Sequence, residues 1–563
     1  MSTTVFKINT ILTIFAVLCS YELFQIPAEP NAFDQRMHLE EDWLTTLRPD
    51  LGYNVQAQFS INRSESLSKV DAYIATQLPV ARAGLLANIG PDGVKCCHGA
   101  KPGVVIASPS TVDPDYVYTW TRDSALVFKL IIDYVTSRYW QGLRGLVDDF
   151  ISSQANLQTV SSFISTRQLS LIHGDDRREN IWPIVQIDLD YVARTWNQST
   201  FDLWEEIESF SFFTTAVQHR ALRQDRLLCY LQSYWNKDEN YIIANTGEGR
   251  SGKDANTILA SIHTFDPAAG CDSVTFQPCS DKALANLQVY VDSFRSVYMI
   301  NNGIPSHEPV ATGRYSEDVY MGGNPWYLTT FAVSEQLYNA LIVWSTQEYM
   351  NITQISLSFF QQFIPDIIPG IYNSSSPIFN NLTTSIRNYA DGFILENAKY
   401  TPEDGSLAEQ YDRDTGLPRS ALDLTWSYAS ALTTFGARSG YSSPGWGAAD
   451  LKILSSCSSG PGAGVVSVVF NVEASTRYEE NIFITGSVDA LKNWTPDDNA
   501  VLLSAEGYPI WRVAVLLPPN TKIEYKYIRR YNKNKGQVVW ESGPNREFNT
   551  LSLGNHILND IWK

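Results

Sequence analysis

Two acidic segments stand beside aromatic residues in this chain of 563 residues. FDLWEEIESFSF, residues 201–212, holds four carboxylates: Asp202, Glu205, Glu206 and Glu208. SLAEQYDRDTG holds Glu409 ahead of a glycine-containing loop. Hydrolysis of a glycosidic bond with inversion uses two carboxyl groups about 6.5–9.5 Å apart, one to protonate the leaving oxygen and one to activate water. On spacing alone, an amphipathic helix with a solvated acidic face is the commoner explanation of the first segment.

Other catalytic motifs are not supported. GEGRSGKD, residues 247–254, fits GxGxxG and nearly fits a P-loop, but Asp254 stands where a P-loop needs Ser or Thr to bind magnesium. Since no βαβ pattern surrounds this segment, we interpret it as a structural or substrate-side loop. The seven His are scattered, without HExxH, and GxSxG is absent. We therefore expect neither a metal nor an organic cofactor.

The pattern of residues 67–456 is mainly helical. ALANLQVYVDSF carries apolar residues at helical spacing, and SALDLTWSYASALTTFGARSG begins with a capping-box-like pair, Ser420 and Asp423. Long loops rich in Gly, Pro, Asp and aromatic residues separate such segments. This predicts a helical scaffold whose loops build the site.

The pattern changes after Cys457. Residues 457–464, including SSGPGAG, form a short flexible linker. Short β-rich segments follow; in one of them Ile523, Tyr525 and Tyr527 alternate with polar residues, as in a half-buried strand. Residues 465–563 are therefore predicted to form an all-β sandwich.

The charge excludes some partners. A formal charge of −18 and a pI of about 4.9 would repel phosphate groups, so we expect no nucleic acid or anionic membrane as partner. Neutral substrates meet no such repulsion, and the 15 Trp and 29 Tyr suit stacking on sugar rings. We expect a monomer.

The N-terminus predicts secretion. Lys7 precedes an apolar run from Ile8 to Cys19 that is short for a membrane span, so residues 1–20 indicate a signal peptide, with an uncleaved anchor as the alternative. Residues 21–66 are interpreted as a pro-segment or N-terminal extension. Six sequons are candidate glycosylation sites in an extracellular protein that leaves the membrane after cleavage: Asn62, Asn197, Asn351, Asn373, Asn381 and Asn493.

Secretion permits disulfides. Cys271 and Cys279 flank a loop short enough for one bridge to close, and Cys229 and Cys457 could form a long-range bridge. Cys96 and Cys97 are adjacent, so a strain-free bond between them is not expected.

Long segments of residues 67–457 resemble fungal members of glycoside hydrolase family 15, the glucoamylases. They are ASPSTVDPDYVYTWTRDSALV, FDLWEE, SFFTTAVQHRAL, SGKDANTILASIHTFDP, GRYSEDVYMGGNPWYL and LTWSYA. The resemblance implies an (α/α)6 barrel catalytic domain over 67–456. It also implies release of β-D-glucose from non-reducing ends of starch, glycogen and malto-oligosaccharides by cleavage of α-1,4 bonds and, more slowly, α-1,6 bonds.

The resemblance also implies roles for individual residues. Glu205 matches the general acid and Glu409 the general base. Tyr116, Trp120, Arg122 and Asp123, in DYVYTWTRD, match a segment that holds the terminal glucose. Further substrate-binding positions are Asp202, Trp204, Glu206, Arg314, Trp326 and Trp426. For each Trp, core packing is the alternative.

Residues 465–563 resemble the starch-binding domain of carbohydrate-binding module family 20, through NIFITGS, NW, EYKYIRR and VVWESGPNRE. Trp494 and Trp540 match the paired indoles of one starch site, and Lys526 and Asn545 lie beside them. A second site is implied by Tyr478, Glu506 and Tyr508. A glycan on Asn493 would obstruct the first site.

Two stretches are shorter than in the family. LSLIHGDDRRE stands where the family has a pocket loop and a barrel helix. HRALRQDRLLCYLQ stands where the family has an additional stretch of helix. Loss of a barrel helix exposes apolar faces of its neighbours, at about 25 cal/mol per Å². The barrel is therefore predicted to be incomplete. The alternative function is a catalytically inactive starch-binding protein.

Overall fold

The computed structural model describes residues 68–95, 100–136, 141–161, 177–246, 249–453, 457, 465–477, 480–496, 500–531, 538–551 and 555–563. The predicted signal peptide and pro-segment lie outside these ranges, as do Asn62, the pair Cys96 and Cys97, and Tyr478. Most of the predicted linker, 458–464, lies outside them too.

The N-terminal part is helical, as predicted. The α-helices are α1 Lys69–Ala87, α2 Thr121–Thr136, α3 Arg144–Ser161, α4 Arg177–Thr195, α5 Phe212–Leu222, α6 Asp225–Leu231, α7 Ala255–His263, α8 Asp281–Asp292, α9 Tyr327–Gln347, α10 Leu357–Gln361, α11 Pro377–Tyr400 and α12 Thr425–Arg438. The spacing of ALANLQVYVDSF correctly predicts α8, whose N-cap Ser280 accepts a hydrogen bond from the Ala283 amide.

The helices pack as a closed ring. Helix α2 contacts α12, which contacts α9, and the contacts continue through α7, α5, α4 and α3 back to α2. Helices α1 and α11 pack outside this ring against α12 and α9, and α9 and α12 are buried along most of their length. This agrees with the predicted barrel architecture. Between α3 and α4 lies the first of the two shortened stretches.

The described loops between the helices contain four short β-hairpins: β1 Thr200–Phe201 with β2 Glu208–Ser209, β3 Trp235–Asn236 with β4 Tyr241–Ile242, β5 Tyr349–Ile352 with β6 Gly370–Asn373, and β7 Gln410–Tyr411 with β8 Pro418–Arg419. The first hairpin occupies most of FDLWEEIESFSF, so the amphipathic helix considered for that segment is wrong; a helix starts only at Phe212.

The C-terminal part is a β-sandwich, as predicted. Its strands are β9 Val466–Glu473, β10 Glu480–Gly486, β11 Val501–Leu502, β12 Ser504–Gly507, β13 Ile510–Leu517, β14 Lys522–Tyr531, β15 Val539–Trp540, β16 Arg546–Asn549 and β17 Asn555–Ile561. One sheet has the order β11-β10-β14-β15, with β16 also on β14, and the other the order β12-β13-β9-β17. Ile523, Tyr525 and Tyr527 of β14 point into the core between the sheets, as their alternation predicts.

Both predicted disulfides, Cys271–Cys279 and Cys229–Cys457, are formed. The second ties Cys457, the first residue of the predicted linker, to α6. Within the described ranges, no helix combines the length and hydropathy needed to cross a bilayer.

Candidate active site

The N-terminal ends of three ring helices, α2, α9 and α12, meet around one cavity of about 290 Å³. Trp120 and Arg122 lie at the start of α2, Trp326 directly precedes α9, and Trp426 lies in the first turn of α12. The cavity is lined by Ala107, Tyr116, Trp120, Arg122, Asp123, Leu203, Trp204, Glu205, Glu206, Arg314, Tyr320, Trp326, Glu409, Leu424 and Trp426. Segments more than 300 residues apart in the sequence thus converge on one cavity.

Every predicted catalytic or substrate-binding residue of the helical part lines this cavity except Asp202. Asp202 lies behind the cavity wall with 3% of its surface exposed. Its Oδ1 accepts hydrogen bonds from the backbone amides of Glu206 (2.9 Å) and Ile207 (3.2 Å). Burial raises the pKa of the Asp202 carboxyl, and the bond from the Glu206 amide and the charge of Arg250 oppose that rise. Asp202 therefore shapes the turn that carries Glu205.

That turn holds Glu205 in an uncommon backbone conformation. Glu205 has φ 60°, in the left-handed region, which disfavours residues with a Cβ by about 1 kcal/mol or more. Its amide donates to the Asp202 carbonyl (3.0 Å), and the Asp202 amide donates to the Ile207 carbonyl (2.9 Å). The surrounding hydrogen bonds thus fix a strained residue at the cavity wall.

Arg250, in the loop that resembles a P-loop, supports the same turn from behind. Its guanidinium donates to Asp202 (3.2 Å) and to Glu206, and it stacks 3.7 Å from the centroid of the Tyr315 ring. The loop is therefore structural, in agreement with one of the two interpretations of GEGRSGKD. Arg250 directly precedes the family-like segment SGKDANTILASIHTFDP, but nothing local in the sequence indicated its partners.

Arg314 occupies the centre of an aromatic wall. It forms two hydrogen bonds with Asp318 (2.8 and 2.6 Å) and an ion pair with Glu206 Oε1 (2.8 Å). Its guanidinium carbon lies 5.5 Å from the Trp204 ring and 5.4 Å from the Trp326 ring. Such cation–π contacts hold the charge in place beside flat rings that could stack on a sugar.

A second arginine contacts the predicted general acid. Arg122 Nη1 lies 3.3 Å from Glu205 Oε1 and donates to the Leu203 carbonyl (2.7 Å), while its Nε donates to Asp123 (3.1 Å). Burial raises the pKa of Asp123, and the Arg122 charge opposes that rise. Arg122 thus joins the acid-bearing turn to the first turn of α2.

Glu409 is buried and directly precedes β7. Its carboxylate accepts hydrogen bonds from the Ser420 hydroxyl and from the Gln410 amide (3.1 Å). Burial raises the pKa of Glu409 to about 7, and the Ser420 bond and the Arg314 charge oppose this shift. Ser420 was predicted to cap α12, which is wrong: α12 begins at Thr425 after Leu424, without a side-chain cap.

The two carboxyls have different surroundings. Glu409 is the predicted general base, which must be ionised to act, yet burial raises the pKa of its carboxyl to about 7. Glu205, the predicted general acid, lies beside the guanidinium of Arg122, which is itself a predicted ligand of glucose hydroxyls. Both carboxyls line the same cavity.

The sandwich presents part of the predicted starch sites. Trp540, on the edge strand β15, is 39% exposed, and Trp494 is half-buried. Lys526 donates to the carbonyls of Gly543 (2.7 Å) and Glu541 (3.3 Å), and Asn545 donates to Glu524 (3.0 Å). At the second predicted site Tyr508 and Glu506 are exposed.

The predicted glycosylation sites differ in exposure. Asn351, Asn373, Asn381 and Asn493 are exposed. Asn197 is only 9% exposed, and its backbone carbonyl accepts a hydrogen bond from the Leu516 amide of the sandwich. It is the least accessible of the described sequons.

Family comparisons follow the same division of the chain. The model of the family "Glycosyl hydrolases family 15" matches residues 79–174, 165–225 and 223–436, and that of "Starch binding domain" matches residues 465–558. The pieces of the first match meet at the two shortened stretches, so the match is interrupted at the places where the family has additional residues.

Similar proteins cover nearly the whole chain. "Glucoamylase-1" of Schizophyllum commune is 50% identical over 569 positions, which include 90% of this chain and 97% of the relative. The "Glycoside Hydrolase Family 15 Glucoamylase from Hypocrea jecorina" has a TM-score of 0.63 at 41% identity and covers 88% of this chain and 100% of that structure. The structure of Hormoconis resinae glucoamylase has a TM-score of 0.64 at 37% identity, covering 87% and 98%.

Proposed function

The chain belongs to glycosyl hydrolases family 15 and carries a C-terminal starch-binding domain, and on this premise we propose that it is a glucan 1,4-α-glucosidase that releases β-D-glucose from non-reducing ends of starch. Slower cleavage of α-1,6 bonds accompanies the main reaction, and glycogen and malto-oligosaccharides are further substrates. The observation that carries the proposal is the shared cavity, in which Glu205 and Glu409 lie among arginines and indoles.

The proposed mechanism is a single displacement with inversion. Glu205 protonates the glycosidic oxygen while Glu409, as carboxylate, removes a proton from the water that attacks the anomeric carbon from the opposite side. Arg122, Asp123 and Arg314 hold glucose hydroxyls through charge-assisted hydrogen bonds, and the indoles provide flat walls.

The roles of the two carboxyls are tested with α-D-glucosyl fluoride and maltose. Fluoride leaves with little protonation, so Glu205→Gln should retain hydrolysis of the fluoride and lose about 10²–10⁴-fold in kcat on maltose. Glu409→Gln should lose both activities, because water remains unactivated in either reaction. The opposite pattern would reverse the assignment.

The stereochemistry of the reaction and the presence of hydrolytic activity are measured separately. Proton NMR of the first product from soluble starch should show the β-anomer, and the α-anomer would exclude inversion. The inactive starch-binding alternative would be supported if the chain released no more glucose than the double variant Glu205→Gln/Glu409→Gln. The relatives from Schizophyllum commune, Hypocrea jecorina and Hormoconis resinae, each named glucoamylase, favour the enzyme.

We also propose, from features of the sequence, how the protein is localised, glycosylated and divided into domains. The protein is secreted after removal of residues 1–20 and is glycosylated at exposed sequons. Residues 67–456 form the catalytic domain, residues 457–464 the linker and residues 465–563 the starch-binding domain. Trp494 and Trp540 bind a glucan chain at one site, and Tyr508 contributes to a second.

A further inference from the structure

Strand β13 of the sandwich changes its burial pattern halfway along. In its first half the residues alternate, with Ile510 and Arg512 exposed and their neighbours buried in the sandwich core. In its second half every residue is buried, and Ala514 and Leu516 belong to the hydrophobic core of the helical domain. A strand has two faces, so the outward face of this half is covered by the catalytic domain.

The contact includes backbone hydrogen bonds as well as side chains. Strand β12 pairs with β13 only near Arg512 and Ile510, which leaves the edge of β13 open beyond that point. There the Ser199 amide donates to the Ala514 carbonyl (2.7 Å) and the Leu516 amide to the Asn197 carbonyl (2.7 Å). The Ala514 amide donates to Ser199 Oγ (3.0 Å). A segment of the catalytic domain thus extends the sheet of the starch-binding domain.

This segment leads directly into the catalytic turn. Residues 197–199 precede β1, whose partner β2 follows the turn that holds Glu205. The second arm of the hairpin is contacted too. The half-buried Glu208 of β2 forms a hydrogen bond with Ser504 of β12, and it is attracted by the charge of Arg512 and repelled by that of Glu506. Both arms of the hairpin are therefore held by one edge of the sandwich.

We propose that the docked starch-binding domain holds Glu205 in position. It thereby supports hydrolysis even of short soluble substrates, which do not need to bind at a starch site. A strained turn at φ 60° on a hairpin of two-residue strands requires support from its surroundings. The β12–β13 edge supplies it. This inference rests on the proposed role of Glu205.

The test uses Leu516→Glu in the full chain, which places a carboxylate in the covered face. We expect kcat on maltoheptaose to fall at least about tenfold, since a displaced acid is catalytically costly. Hydrolysis of α-D-glucosyl fluoride, which needs little protonation, should change less than about twofold. Retention on granular starch should be preserved and shows that the sandwich is folded. Leu516→Ala, a milder change, should give the same selective loss to a smaller degree.

Ile510→Glu is the matched control, because it adds the same charge to the same face of β13 where that face is exposed. It should leave both substrates unaffected. The proposal is overturned if Leu516→Glu leaves kcat on maltoheptaose unchanged, or if hydrolysis of both substrates slows equally. Absence of activity in the unsubstituted chain would instead contradict the proposed function.

Discussion

Removal of the Ser420 hydroxyl should shift the pH dependence of catalysis. The hydroxyl donates to the Glu409 carboxylate and lowers a pKa that burial raises to about 7. A hydrogen bond to a charged group contributes about 1.5–3 kcal/mol, and if about 1.4 kcal/mol of it is specific to the ionised form, Ser420→Ala raises the pKa of Glu409 by about one unit. A higher pKa leaves less carboxylate at a given acidic pH.

The measurement is the pH profile of kcat/KM on maltose. Its acid limb, which reports the base of the free enzyme, should move to higher pH by about one unit, with the same rate well above the limb. Ser420 has φ 61°, so alanine keeps the backbone strain of the native serine, whereas glycine relieves it. Ser420→Gly should therefore shift the limb as far as Ser420→Ala while unfolding at a higher temperature. A limb that stays in place in both variants, or moves only with alanine, would refute the role of the hydroxyl.

Three further predictions concern stability and binding. Arg250→Met leaves the buried Asp202 carboxylate without its cation and should cost about 3 kcal/mol, seen as a lower unfolding temperature; an unchanged temperature would contradict the ion pair's importance. Trp494→Ala combined with Trp540→Ala should abolish retention on granular starch but not kcat on maltoheptaose; undiminished retention would refute that site. Replacing Cys229 and Cys457 by Ser opens a loop of 228 residues and should destabilise by about 5 kcal/mol, against about 2.5 for the eight-residue disulfide loop; equal losses in calorimetry would argue against a chain-entropy effect.

The regular elements could be predicted from the sequence because their signals are local. The apolar spacing of residues 283–294 determines which face of α8 is buried, and the alternation along Ile523, Tyr525 and Tyr527 does the same for β14. The cavity residues were identified by resemblance, because each lies in a long segment of distinctive sequence. Neither the composition nor the spacing of the acidic residues would have selected Glu205 and Glu409.

What escaped prediction depends on contacts between distant segments. Ser420 and Asp423 match a capping box by type and spacing, but both have positive φ, and the Ser420 hydroxyl contacts Glu409 instead of the α12 amides. Arg250 lies 48 residues from Asp202, and no periodic pattern relates them. The same holds for the pairing of residues 197–199 with β13, since an edge that completes another domain's sheet has no sequence signature of its own.

The pairing of residues 197–199 with β13 makes the order of biosynthesis important. Ser199 is synthesised 315 residues before its hydrogen-bond partner Ala514, an interval of about 16 to 60 s at ordinary rates of translation. During that time the segment that leads into the Glu205 turn already exists, while the strand that will pair with it does not. Docking of the sandwich on this segment is therefore a late step, and until it occurs the two domains are tethered units that do not yet share a sheet.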